Sequence, residues 1–261
     1  MLLELRKLAG GYEPVQIFQG IDLTMAAGTS IGLFGPNGHG KTTLLLTISG
    51  IIDPWRGDIF FDGQRLNREG ERRSQLSRNI NYDVLRRRRM DPKKVARAGL
   101  IHVAQGNTLY PEMTIAETLA IAPIAANGRA DPAQSLDRVF SLFPRLYERR
   151  DQKARFLSGG ERQMLSVSAA LMAAPKLLLL DEPTLGLSPK LRIELAEAIS
   201  AIKADGVPLV VVDQDVEFLE SLIDTLYLFD HGRISRRIEK ADLPSYEEIM
   251  SLLFEGDKNA G

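Results

Sequence analysis

The chain has 261 residues, 44% of them hydrophobic and 26% charged, which suits one large globular α/β domain or such a domain carrying a smaller subdomain, and argues against bulk disorder. Thirty-three basic residues against thirty-four acidic ones leave a net charge of −1, so there is no electrostatic footprint for nucleic acid or an anionic membrane surface. The absence of cysteine excludes disulfides, thiolate catalysis and cysteine-ligated metals, and the three histidines (His39, His102, His231) are spread too widely along the chain to mark a zinc site.

In chain order, the N-terminus lacks the apolar core of a signal peptide, and no stretch approaches the roughly 20 apolar residues of a membrane helix. A soluble cytoplasmic chain is expected, reaching any membrane only through partners. Ile31–Phe34 reads as a short buried strand, followed by a glycine-rich turn and a helix over Lys41–Ser49. Asp58–Phe61 and Leu100–Ala104 read as further strands, as do the apolar runs Leu177–Leu180 and Leu209–Val212. Thr225–Phe229, before the turn at His231-Gly232, closes the series. This alternation predicts an α/β fold with a mostly parallel sheet. Between Thr114 and Ala174 the pattern becomes helical, which predicts a helical subdomain inserted in the strand order. The arginine-rich stretch 68–97 fits a solvated face or a docking patch, and the sequence does not choose.

Three motifs carry chemistry. Gly35-Pro36-Asn37-Gly38-His39-Gly40-Lys41-Thr42 fits G-x-x-x-x-G-K-[ST], directly after a strand and before a helix. Its glycines let the backbone aim successive N–H groups at phosphate, and the helix adds its positive end. Lys41 would neutralise the β- and γ-phosphates, Thr42 would ligate Mg²⁺, and Thr43 continues the cradle. Leu177–Leu180 ends in Asp181-Glu182, which places Asp181 for magnesium and Glu182 to polarise the attacking water. In Leu157-Ser158-Gly159-Gly160-Glu161, Ser158 can cap a helix while Gly159 and Gly160 leave their N–H groups unobstructed. This is a second anion-binding helix start in a chain with a single phosphate loop.

In this order, the three motifs resemble the ATP-binding cassette (ABC) family, from about Leu2 to Ile234. The resemblance implies a P-loop NTPase core with a mostly parallel sheet, an antiparallel element near the N-terminus, and an inserted helical signature subdomain. It divides the chain into a core over 1–104, the helical subdomain over 105–173, the rest of the core over 174–240 and a C-terminal helix and tail over 241–261. It also implies ATP and Mg²⁺ as ligands and a head-to-tail pair of ATPase subunits, identical or different, with each nucleotide between one phosphate loop and the other subunit's signature helix. Tyr12 stands where the family stacks an aromatic on adenine, and Gln105 matches the glutamine that reaches Mg²⁺ and the attacking water and senses the membrane subunit. The stretch from Tyr110 to Leu119 matches the family's continuation. Permease subunits would bind the chain to the inner face of the membrane, and a solute-binding protein would act indirectly.

A finer resemblance, carried by Ser141–Leu146, Gln163–Leu165 and Asp181–Pro189, is to the ATPases of branched-chain amino acid and amide importers. The chain departs from the family at Gln214, where most members carry histidine, and at Ser188, where many carry aspartate. Gln214 can donate a hydrogen bond to the γ-phosphate but cannot shuttle a proton. The resemblance assigns no role to the His39 side chain. An exporter motor and a weakly hydrolysing nucleotide sensor are the alternative readings. The lack of coiled-coil heptads between the motifs and the single copy of each motif argue against chromosome- and ribosome-acting relatives.

Overall fold

The computed structural model describes residues 1–68, 90–106, 109–126 and 131–254. Among the described residues ten strands are formed: β1 (Leu3–Tyr12), β2 (Val15–Met25), β3 (Ile31–Phe34), β4 (Arg56–Phe61), β5 (Gln64–Arg65), β6 (Leu100–Val103), β7 (Leu177–Asp181), β8 (Leu209–Val212), β9 (Thr225–Asp230) and β10 (Arg233–Glu239). The α-helices are α1 (Lys41–Ile48), α2 (Pro92–Ala98), α3 (Ile115–Ile121), α4 (Pro132–Leu142), α5 (Pro144–Glu148), α6 (Gly159–Met172), α7 (Pro189–Ala204), α8 (Val216–Leu222) and α9 (Tyr246–Phe254).

The strands make two sheets. One is antiparallel, in the order β2-β1-β4-β5; the other runs β10-β9-β3-β8-β7-β6 and is parallel except for its β9–β10 edge. Strands covered on both faces need apolar side chains at every position, which explains why β7 and β8 read as unbroken hydrophobic runs. Their two-residue period divides them between two cores. Leu178, Leu180, Leu209 and Val211 pack with α3, α4, α6, α7 and α8, whereas Leu177, Leu179, Val210 and Val212 pack with α1 and the antiparallel sheet.

Parallel pairing puts the carboxyl ends of β3, β6, β7 and β8 on one edge of the sheet, where the loops that carry chemistry in such folds are found. Between β6 and β7 the described residues form α3, α4, α5 and α6 and no strand, in keeping with the expected insertion. Strand formation does not stop at β9, however. β10 follows the turn and pairs antiparallel with it. Mostly exposed and sparing in apolar residues, β10 gives no hydrophobic signal in the sequence. Of the arginine-rich stretch, 69–89 lie outside the described residues. Its end forms α2, which starts at an Asp91 cap and exposes Lys93 and Lys94.

Leu179 lies at the centre of this arrangement, fully buried and paired with His102 and Val210 on the two neighbouring strands. Leu179→Ala should lower the unfolding free energy by about 2–5 kcal/mol in urea titration. A loss below about 1 kcal/mol would show that this strand is not the packed centre of the molecule.

Candidate nucleotide-hydrolysis site

Between β3 and α1 the chain turns through residues 35–40, with Gly38 and Gly40 at positive φ (78° and 103°). A side chain at Gly35 would stand 1.9 Å from the Phe229 carbonyl oxygen, and one at Gly40 would meet Ile17 at 2.7 Å. Glycine at these two positions lets the loop lie against β9 and β2. Positive φ at alternate residues is the kind of backbone that turns successive N–H groups to one side, which suits an anion at the head of α1. Lys41 is buried and donates from Nζ to the carbonyls of Gly35 (2.6 Å) and Pro36 (2.8 Å), so its charge is held inside the loop. Burial lowers its pKa, and the charges of Glu182, Asp181 and Asp213 oppose that shift. Thr43 is buried behind it, while Asn37 and Gly38 are exposed.

Asp181, the last residue of β7, is buried and accepts a hydrogen bond at Oδ1 from the Thr42 hydroxyl (3.1 Å). Its second oxygen, Oδ2, is buried with no hydrogen-bond partner. Burial raises its pKa to about 6, with a further upward push from Glu182 and Asp213; Thr42 and Lys41 pull the other way. An orphaned carboxylate oxygen beside a hydroxyl is an oxygen donor set of the kind hard dications take, so these residues fit magnesium.

Glu182 follows at φ 46°, a left-handed backbone that non-glycine residues seldom adopt, fixed by its N–H donating to the Val212 carbonyl (2.8 Å). Two amides hold its carboxylate: Gln105 donates at 2.8 Å and Gln214 at 3.1 Å. The three residues expected to work together from the ends of β6, β7 and β8 are therefore in direct contact. Strain of this kind collects at functional positions.

Ser158, Gly159 and Gly160 lie elsewhere and make no hydrogen bond to the loop among the described residues. Ser158 forms a reciprocal capping box with Glu161 at the start of α6, and Gly160 packs against Leu191 of α7. Tyr12 ends β1 at the β1–β2 hairpin with its side chain half exposed, and among the described residues it makes no hydrogen bond to the loop.

Sequence reasoning passed over Asp213. This buried carboxylate accepts from the Thr184 hydroxyl (2.8 Å) and N–H (3.1 Å), and from the N–H groups of Gln214 (2.7 Å) and Asp215 (3.0 Å). It ties the loop after β7 to the loop after β8, which fixes the backbone from which Gln214 reaches Glu182. Burial raises its pKa against those hydrogen bonds. An acid just beyond a buried strand was the available signal. The histidines also need correction: His39 and His231, far apart in sequence, stack at 4.4 Å. The parallel register of Phe34 with Leu228 carries the turns after β3 and β9 to the same place.

A glycine loop closed on a buried lysine, a carboxylate–hydroxyl pair and a tethered glutamate, all at the carboxyl ends of parallel strands, fit a P-loop nucleotide-binding cassette. Comparison with known proteins extends this. The family model described as "ABC transporter" matches residues 18–185, more than half of the chain. The chain is 32% identical over 233 residues to the high-affinity branched-chain amino acid transport ATP-binding protein BraG of Pseudomonas aeruginosa, covering 89% of this chain and 91% of that one. It is 28% identical over 240 residues to the lipopolysaccharide export system ATP-binding protein LptB of Acidithiobacillus ferridurans, covering 89% and 88%. A solved structure of an ATP binding subunit of an ABC transporter superposes with a TM-score of 0.77 at 25% identity, covering 97% of this chain and all of that one. The chain belongs to the ABC transporter family, as one of its ATP-binding, ATP-hydrolysing subunits.

The charge state of Asp181 can be tested directly. Because its folded pKa is raised from 3.8 to about 6, the native state binds more protons than the unfolded chain between those values. Asp181 therefore costs stability as pH rises from about 4 to 6, and the full cost, on the order of 3 kcal/mol, applies above 6. In magnesium-free buffer at pH 7.5, Asp181→Asn should unfold at higher urea, a gain of about 1–3 kcal/mol that narrows as pH is lowered to 5. A less stable variant at pH 7.5 would show that the carboxylate is not held against its own desolvation.

Proposed function

We propose that the chain drives a membrane importer of branched-chain amino acids or related amides, as one of two ATPase subunits that close on MgATP. The observation that carries the hydrolytic part is the contact of Glu182 with both Gln105 and Gln214, beside Lys41, Thr42 and Asp181. Magnesium, held by Thr42, Asp181 and Gln105, would supply charge neutralisation to the phosphates. Lys41 exchanges the carbonyls of Gly35 and Pro36 for the β- and γ-phosphates of ATP. Glu182 takes a proton from water as the water oxygen attacks the γ-phosphorus and the bond to the bridging oxygen of ADP breaks. Gln105 and Gln214 keep the carboxylate aimed, so Gln214 does structural work that a histidine's proton is not needed for.

Asn37, Gly38, Gln105 and Gln214 are all exposed, and water exclusion requires something to cover them. A second subunit presenting Ser158, Gly159 and Gly160 at the start of its α6 would do so, while Tyr12 stacks on adenine. Among the described residues no helix is long and apolar enough to cross a membrane, and attachment to the inner membrane face would run through permease subunits. The similarity to BraG supports import; the similarity to LptB supports the second reading, an exporter motor.

Steady-state hydrolysis tests the assignment of roles. Glu182→Gln should lose about 10²-fold or more in turnover and run as a dimer in MgATP, and Lys41→Ala should lose ATP binding or turnover. A Glu182→Gln variant as fast as its parent would remove Glu182 as the base. ATP-driven uptake of labelled leucine into vesicles carrying the complex separates import from export.

A further inference from the structure

Where the loop before α1 meets the turn after β9, three side chains of metal-ligating type come together that the hydrolytic site does not use. The Nδ1 atom of His39 lies 3.0 Å from Oδ1 of Asp230, and Nε2 of His231 lies 3.8 Å from the same oxygen. One donor atom from each of the three residues falls within 4.8 Å of the others. His39 and Asp230 are largely sheltered, with side chains about one-fifth exposed, and His231 stands at the rim.

The environment of His39 Nδ1 is contradictory for a metal-free imidazole. It faces the Asp230 carboxylate and also the backbone N–H of His231 at 3.2 Å. A nitrogen carrying a lone pair satisfies the N–H but repels the carboxylate; one carrying a proton does the reverse. A dication satisfies the lone pair and the carboxylate together. Two donors each about 2.1 Å from one ion at the tetrahedral angle stand about 3.4 Å apart, so the 3.0 Å pair found here opens by a few tenths of an ångström to admit one.

We propose that His39, Asp230 and His231 form a binding site for a transition-metal dication of the zinc class. Two imidazoles and one carboxylate favour such ions over magnesium, and water completes the coordination. Because the two rings are stacked at 4.4 Å with 27° between their planes, the exposed His231 side chain turns to bring its lone pair onto the ion. The long bond from the His231 N–H to Nδ1 is given up in exchange. The loop and the turn are already joined by their backbones, the Gly232 N–H donating to the His39 carbonyl at 3.1 Å. An ion adds a side-chain crosslink one residue from Gly40 and two from Lys41, so it stiffens the loop. That consequence for nucleotide handling rests on the phosphate-cradle reading; the binding of the ion does not.

Calorimetric titration of the nucleotide-free full chain with zinc, in excess magnesium, tests the site beside His231→Ala and His39→Ala. One zinc per chain should bind despite the magnesium, and affinity should fall about tenfold or more in either variant, with circular dichroism reporting that both remain folded. Amide hydrogen exchange at residues 37–40 should slow on zinc addition in the parent but not in His231→Ala. No zinc uptake, or uptake unchanged by both substitutions, would overturn the site. Uptake without slower exchange would overturn the crosslink. Either failure leaves the ATPase reading intact, since no nucleotide is used, and a chain that binds zinc but hydrolyses no ATP would fail the other reading alone.

Discussion

The position of one carboxylate organises the rest of the site. Glu182 sits immediately after a strand whose every residue is buried, on a left-handed backbone, with an amide from each neighbouring strand's loop bonded to its oxygens. None of this is possible unless β6, β7 and β8 are adjacent and parallel, because only then do Gln105, Glu182 and Gln214 leave the sheet at one edge. The two-sided packing of β7 thus supports a geometry at its tip. Asp213 extends the same constraint sideways by binding the loops after β7 and β8 together.

Electrostatically, the site gathers three carboxylates, Asp181, Glu182 and Asp213, about one buried lysine. Asp181 and Asp213 are both shifted upward by burial, and Lys41 downward. Each buried group is thereby held away from its favoured charge state. A protein selected only for stability would not keep Asp181 Oδ2 buried without a partner. On the proposed function, the phosphates of ATP would supply the partner Lys41 needs and magnesium the partner Asp181 needs, which would relieve both mismatches at once.

Much of this was legible in the sequence because burial and motif spacing leave local marks. The phosphate loop is marked by its glycines, and β7 and β8 by runs of apolar residues that only doubly covered strands need. The residues that escaped notice depend on pairings made across long stretches of chain. Asp213 is a single acid after a strand, and nothing local says that it accepts hydrogen bonds from Thr184. His39 and His231 meet only because β3 pairs with β9, which no local pattern encodes. β10 is an edge strand with an exposed face, so it lacks the alternation that identifies half-buried strands.

Gln105 and Gln214 both donate to the Glu182 carboxylate, and on the proposed function they act through it together. A double-mutant cycle in single-turnover ATP hydrolysis tests it, using Gln105→Ala, Gln214→Ala and the double variant. If both glutamines work by aiming Glu182, the losses are strongly non-additive, with a coupling of about 0.5–3 kcal/mol in activation free energy. Losses that add within about 0.3 kcal/mol would mean that each residue acts on its own and that the contacts to Glu182 do not organise the site.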